Sequence, residues 1–164
     1  MELYVIRHAW AADRDDPRWP DDAQRPLTDA GCERFARMMA KLAKGGFQPE
    51  AVATSPLARC RQTADIVAAT VSGRPRVSVV DALEPGSDLQ ALLTWTAEHA
   101  GDCAAVAWVG HAPDVSFLTA ELIGERGAAI RFAKGTVAAI DFPGLPRRAD
   151  GELRWLVTAK VLGV

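Results

Sequence analysis

Apolar and polar positions along this chain fall into blocks. Leu3, Tyr4, Val5 and Ile6 form an unbroken apolar run that stops at Arg7-His8. Ala51-Val52-Ala53-Thr54 stops at Ser55-Pro56-Leu57-Ala58-Arg59, and the run from Ala104 to Val109 stops at Gly110-His111. Short continuous apolar runs bounded by turn residues predict strands buried on both faces, as in a parallel sheet.

Helical spacing fills the intervals. Cys32, Phe35, Met38, Met39 and Leu42 recur on one helical face, with Gly45-Gly46 as the stop. Ala64, Ile66, Val67, Ala68 and Val71 continue a second helix that starts near Pro56 and breaks before Gly73 and Pro75, after which Val77-Ser78-Val79-Val80 reads as a short strand. Leu89, Leu92, Leu93 and Thr96 mark a third helix, and Val115, Leu118, Thr119 and Leu122 a fourth. The end differs: Thr136 to Phe142 and Leu153 to Thr158 are extended runs joined by a Pro/Gly-rich connection, which predicts an antiparallel hairpin at the edge of a mainly parallel sheet. With no internal repeat and no linker, residues 1–164 are expected to form a single α/β domain.

The segment from Trp10 to Gln24 has neither period, and it carries Asp13, Asp15, Asp16, Asp21 and Asp22. Structureless loops of this length in compact domains are often lids or binding loops, and the segment begins beside His8, so it is either the rim of a site or a solvated connection. It lacks the DxDxDG spacing of a calcium loop.

Composition narrows the class. An apolar fraction of 49% with 24% charged residues is that of a soluble globular protein able to bury a core. No run approaches the roughly 20 apolar residues of a membrane span, and the N-terminus has no secretory pattern, so a cytoplasmic location is expected. A net charge of −2 opposes a nucleic-acid partner. Cys32, Cys60 and Cys103 are odd in number and widely spaced, which argues for reduced thiols rather than a disulfide framework or a zinc site. His99, near the end of the third helix, reads as a surface residue.

Three strand ends carrying Arg7-His8, Ser55 to Arg59 and Gly110-His111 converge on the carboxyl edge of the sheet, where open α/β folds bind ligands. Such a set suits an anion. A neutral imidazole is a competent nucleophile near pH 7, whereas serine needs a separate base and lysine a depressed pKa. Arg7 and Arg59 suit the clamping of phosphate oxygens because a guanidinium is planar, permanently charged and bidentate. Other phosphatase chemistries fail on spacing: Met38, Ile66 and Val109 stand six positions after the three cysteines where arginine is needed, and no GxxxxGK[ST] occurs. Arg7 beside His8 would repel a metal dication, so no metal and no cofactor are implied.

Arg7-His8-Ala9 after an apolar strand, Arg25-Pro26-Leu27-Thr28-Asp29-Ala30-Gly31, the run from Ser55 through Arg59 to Ala64, and Gly110-His111 together resemble the histidine phosphatase superfamily, most of all its short SixA-type phosphohistidine phosphatases. The resemblance spans the first strand to the final hairpin. It implies a phosphoglycerate mutase-like three-layer α/β/α sandwich and a nucleophilic His8, with Arg7, Arg59 and His111 holding phosphate. Ala9 stands where the fuller family motif usually has glycine, as in many SixA-type members. For the proton donor the family places a glutamate after the middle strand; Glu84 is the candidate here, with Asp81 and Asp88 as rivals. Arg25 either reaches the phosphate or anchors the turn before the first helix. The expected activity is metal-independent removal of phosphate from phosphohistidine in a protein. The alternatives are a phosphomonoesterase for a small phosphorylated metabolite and a non-catalytic phosphate-binding module.

Overall fold

The computed structural model describes residues 1–164. Six strands form one sheet in the order β3-β2-β4-β1-β5-β6: β1 (Glu2–Arg7), β2 (Ala51–Thr54), β3 (Arg76–Val79), β4 (Ala105–Gly110), β5 (Val137–Asp141) and β6 (Glu152–Val157). The first four run parallel, while β5 pairs antiparallel with β1 and β6 antiparallel with β5. The sheet is therefore mainly parallel with an antiparallel edge, as the sequence pattern predicts.

Side-chain alternation along the strands builds two cores. Tyr4 and Ile6 of β1 join Phe35, Met38 and Met39 of α1 (Asp29–Lys44) and Ala64 and Val67 of α2 (Ala58–Thr70) on one face. Leu3 and Val5 join Leu92 of α3 (Leu89–Ala100) and Val115, Leu118 and Leu122 of α4 (Asp114–Leu122) on the other. Helices thus cover both faces in three layers, and all of β4 is buried, which is why its sequence is a continuous apolar run rather than an alternating one. No helix is long and apolar enough to cross a membrane.

This topology creates the site. β1 and β4 are neighbours, yet the helix after β1 packs on one face and the helix after β4 on the other. The chain diverges at their carboxyl ends and leaves a crevice there.

The loop after β1 is pinned to the start of α1. Thr28 caps that helix, its hydroxyl accepting the Gly31 N–H at 3.0 Å, while its own N–H donates to the Trp10 carbonyl at 2.9 Å. A Cβ on Gly31 would lie 2.3 Å from that carbonyl oxygen, a distance no side chain tolerates.

Gly31→Ala should therefore destabilise the fold by about 2 kcal/mol or more, although alanine alone favours a helix over glycine by about 1 kcal/mol. Gly144→Ala, exposed and with nothing within 4 Å of the added carbon, should change stability by no more than about 0.5 kcal/mol. Urea unfolding of the two variants measures the contrast.

Candidate active site

Strand register aligns the catalytic candidates. Arg7 pairs with Gly110 across β1 and β4, and Thr54 pairs with Val109 across β2 and β4. The residues one step past each strand are thereby level: the His8 N–H donates to the Gly110 carbonyl at 3.0 Å and the Ser55 N–H to the Val109 carbonyl at 3.1 Å. His8 and His111 face each other with ring centroids 5.4 Å apart.

These groups line a pocket of about 380 Å3 together with Arg7, Arg14, Asp22, Arg25, Arg59 and Asp114. Four arginines oppose two aspartates there. The pocket is strongly positive inside a chain of net negative charge.

His8 is buried, and its Nδ1 lies 2.8 Å from the Ala9 carbonyl oxygen. A carbonyl only accepts, so Nδ1 carries the proton and Nε2 keeps its lone pair. Burial lowers the pKa of His8 to about 3, and the nearby charges of His111, Arg59 and Arg7 act in the same direction. His8 is thus a neutral imidazole with one free nitrogen. The backbone around it is fixed: the Ala9 N–H donates to the Thr63 hydroxyl at 3.0 Å, and that hydroxyl donates to the Arg59 carbonyl at 2.7 Å. The turn carrying the nucleophile candidate is tied to the helix carrying the clamp candidate.

His111 Nε2 lies 2.9 Å from the Ser55 hydroxyl, which itself accepts the Leu57 N–H. The Ser55 hydroxyl and Nε2 share one hydrogen bond, which fixes the orientation of the His111 ring. Burial lowers its pKa to about 4, reinforced by Arg59. Cys60 lies 3.4 Å from the same Nε2, but burial raises its thiol to about 12, so it is an inert core group.

Arg59 sits in the first turn of α2 and is buried, with Nη1 donating to the Asp22 carbonyl at 2.8 Å and Nη2 to the Asp22 carboxylate at 3.0 Å. Arg7 donates from Nη1 to the Phe132 carbonyl at 2.7 Å. The Nε of each is a buried donor with no acceptor in the protein. Buried donors without partners are rare, and a ligand bearing several acceptor oxygens satisfies them.

Asp22 was not singled out in the sequence, yet it organises this wall. It holds Arg59 and also accepts from Arg25 Nε at 2.9 Å. Burial pushes its carboxyl up, but the Arg25 hydrogen bond and the charges of Arg59 and Arg25 outweigh this and keep it below the ordinary value. The short 3-10 turn from Asp22 to Gln24 delivers it, so the 10–24 segment forms the rim of the pocket rather than a mere connection. The spacing of Asp22 three residues before Arg25 is the one local hint of that pairing. Arg25 lines the pocket, and its Nη1 donates to the Ala12 carbonyl at 2.8 Å.

The acid candidates do not converge here. Glu84 is exposed and lies outside the pocket lining, although the next residues, Pro85 and Gly86, are part of it. Asp81 is exposed in a separate turn, and Asp88 is occupied as the cap of α3, accepting the Ala91 N–H at 3.1 Å. The carboxylate that the structure adds is Asp114, just past His111, which accepts the Gly86 N–H at 3.1 Å. His99 is on the surface, stacked on Trp95, as expected.

Comparison with known proteins agrees with this geometry. A profile of the histidine phosphatase superfamily (branch 1) matches residues 3–84. An uncharacterized protein of Picosynechococcus sp. is 36% identical over 166 residues, covering 99% of both chains. Phosphohistidine phosphatase SixA of Escherichia coli is 29% identical over 158 residues, 94% of this chain and 92% of that protein. The solved structure of the protein histidine phosphatase SixA complexed with tungstate has a TM-score of 0.82 at 28% identity, over 99% of both chains. Matched to the family through the stretch that holds Arg7, His8 and Arg59, and to these relatives along its whole length, the chain belongs to the histidine phosphatase superfamily.

Proposed function

We propose that this chain is a metal-independent phosphatase that removes phosphate from phosphohistidine in proteins through a covalent intermediate on His8. The observation that carries the reading is the state of His8: buried, neutral, its Nδ1 committed to Ala9, its Nε2 free in a pocket of four arginines. Nε2 attacks phosphorus and the bond to the leaving group breaks. Water then attacks the phosphohistidine and returns His8 to its neutral form. Arg7, Arg59 and His111 hold the nonbridging oxygens, since phosphoryl transfer depends mostly on positioning and charge stabilisation. Four guanidiniums supply the positive charge that a metal would otherwise provide.

Substrate class follows from the proton each leaving group needs. An alkoxide must be protonated as it leaves, whereas an imidazole can already carry a proton on its other nitrogen. Glu84, Asp81 and Asp88 do not line the pocket, and the two carboxylates that do are engaged, Asp22 by Arg25 and Arg59 and Asp114 by the Gly86 N–H, so the site suits the imidazole. The SixA of Escherichia coli, a phosphohistidine phosphatase by name, is among the relatives.

Quenching turnover in denaturant should trap an acid-labile, alkali-stable phosphoenzyme, absent from His8→Ala; a His8→Ala variant with unimpaired turnover would refute the nucleophile. Arg59→Ala should lower kcat/KM by about a hundredfold or more, some 2.7 kcal/mol, while Glu84→Gln should stay within about twofold of wild type on phosphohistidine.

The neutral histidines also set a pH dependence of stability. Their folded pKa values, about 3 for His8 and about 4 for His111, lie below the unfolded value of about 6.5. The unfolded chain takes up protons first, so their contribution is complete above about pH 6.5 and is lost progressively as pH falls toward the folded values. Between pH 7 and pH 5 each should cost about 1–2 kcal/mol. Urea unfolding at the two pH values should show this loss, and His8→Asn should shrink it by about half.

A further inference from the structure

The phosphate pocket opens sideways into two further depressions. Ala112 and Pro113, which line it, also wall an apolar groove of about 480 Å3 completed by Ile130 and Phe132. Arg131 lies in that groove and also in an adjoining cleft of about 430 Å3, with Lys134, Lys160 and Arg34. The three spaces run from His8 to a cluster of cations through shared residues.

No aspartate or glutamate lines the outer cleft. Arg131, Lys134 and Lys160 are exposed and take part in none of the ion pairs of the chain. Arg34 is held in place, its guanidinium 4.3 Å from the centroid of the Trp10 ring and its Nη2 donating to the Val164 carbonyl at 2.8 Å. Grouped like charges repel one another, and an anionic partner relieves that repulsion.

The stretch bearing Arg131 and Lys134 is also tied to the catalytic strand. The Phe132 carbonyl accepts from Arg7, and the Gly135 N–H donates to the His8 carbonyl at 3.1 Å. Two of the three cations therefore stand at a set offset from the nucleophile. From the pocket, Gly86 and Asp114 also lead into a second groove that includes Asp88, the exposed Phe117 and the Glu121–Arg148 ion pair. Net positive charge outside the pocket is thus met toward the outer cleft and not along the second groove.

On the reading that the substrate is a phosphorylated histidine of a protein, we propose that the Arg131–Lys134–Lys160 cleft docks an acidic segment of that same protein, joined to the phosphohistidine by an apolar residue seated on Pro113, Ile130 and Phe132. The apolar stretch between the two sites fits a polypeptide. A nucleic-acid backbone would find only Arg131 along that stretch to pair with its repeated charges, and would face Asp88 in the groove on the other route from the pocket.

The test uses peptides phosphorylated on one histidine and carrying, beyond a leucine on either its N- or its C-terminal side, three glutamates, three glutamines or three lysines. Wild type should favour the glutamate peptide of one polarity over its glutamine counterpart by about tenfold in kcat/KM, the sum of three exposed charge pairs, with the preference fading at about 0.5 M salt. Replacing the cations together, Arg131→Glu, Lys134→Glu and Lys160→Glu, should abolish that preference and turn it toward lysine. Hydrolysis of a small aryl phosphate by the same variant should stay within about twofold of wild type, which reports an intact fold and pocket.

Equal kcat/KM for all peptides in wild type would overturn the docking assignment, as would a glutamate preference that survives in the triple variant or a loss shared equally by the aryl phosphate. Inhibition of wild type, but not of the variant, by duplex DNA or polyphosphate without any peptide preference would assign the cleft to another polyanion and overturn it too. A wild type that hydrolyses the aryl phosphate but no peptide would instead remove the protein-substrate reading, and the docking site with it.

Discussion

The parallel pairing of β1 with β4 is the constraint on which everything else rests. Its register sets Arg7 beside Gly110, so the first residues beyond the two strands, His8 and His111, emerge level and adjacent. Because α1 and α4 leave on opposite faces, no helix closes over that point. A one-residue slip would turn the alternating side chains of β1 to the wrong cores and misalign the two histidines. The apolar packing that specifies the register therefore also specifies the site.

The electrostatics of the pocket are arranged around a missing negative charge. Burial costs Arg7, Arg59, His8 and His111 some of their affinity for protons, and each is lowered from its ordinary value by that desolvation. Asp22 offsets part of the cost for Arg59 and Arg25 without neutralising the pocket, since its single carboxylate is shared between them. The same arrangement suppresses protonation of His8 and preserves the lone pair on its second ring nitrogen.

The loop from Trp10 to Arg25 links the nucleophile to this electrostatic wall. It leaves β1 directly after His8, is held at Trp10 by the cap of α1, and returns through Asp22 to the guanidinium of Arg59. Gly31 allows the close approach at Trp10. Packing at the start of one helix and orientation of the Arg59 guanidinium on the next are thus coupled through a segment with no regular structure of its own beyond one 3-10 turn.

The amino-acid sequence by itself determined the elements and the nucleophile candidate. Buried parallel strands require unbroken apolar runs, amphipathic helices require a 3.6-residue period, and both are local properties, legible at Leu3 to Ile6 and at Cys32 to Leu42. The ends of those runs displayed Arg7, His8, Arg59 and His111, and the tertiary structure gathers all four into one pocket. Tertiary structure alone decided the partners reached through space: Asp22 on Arg59, Ser55 on His111, the Phe132 carbonyl on Arg7, and Asp114 at the pocket wall. It also decided that Glu84, adjacent in sequence to pocket residues, is exposed and does not line the pocket. Periodicity constrains which face a residue occupies, whereas the meeting of an irregular loop with a distant helix depends on the path of the whole chain, which no local pattern encodes.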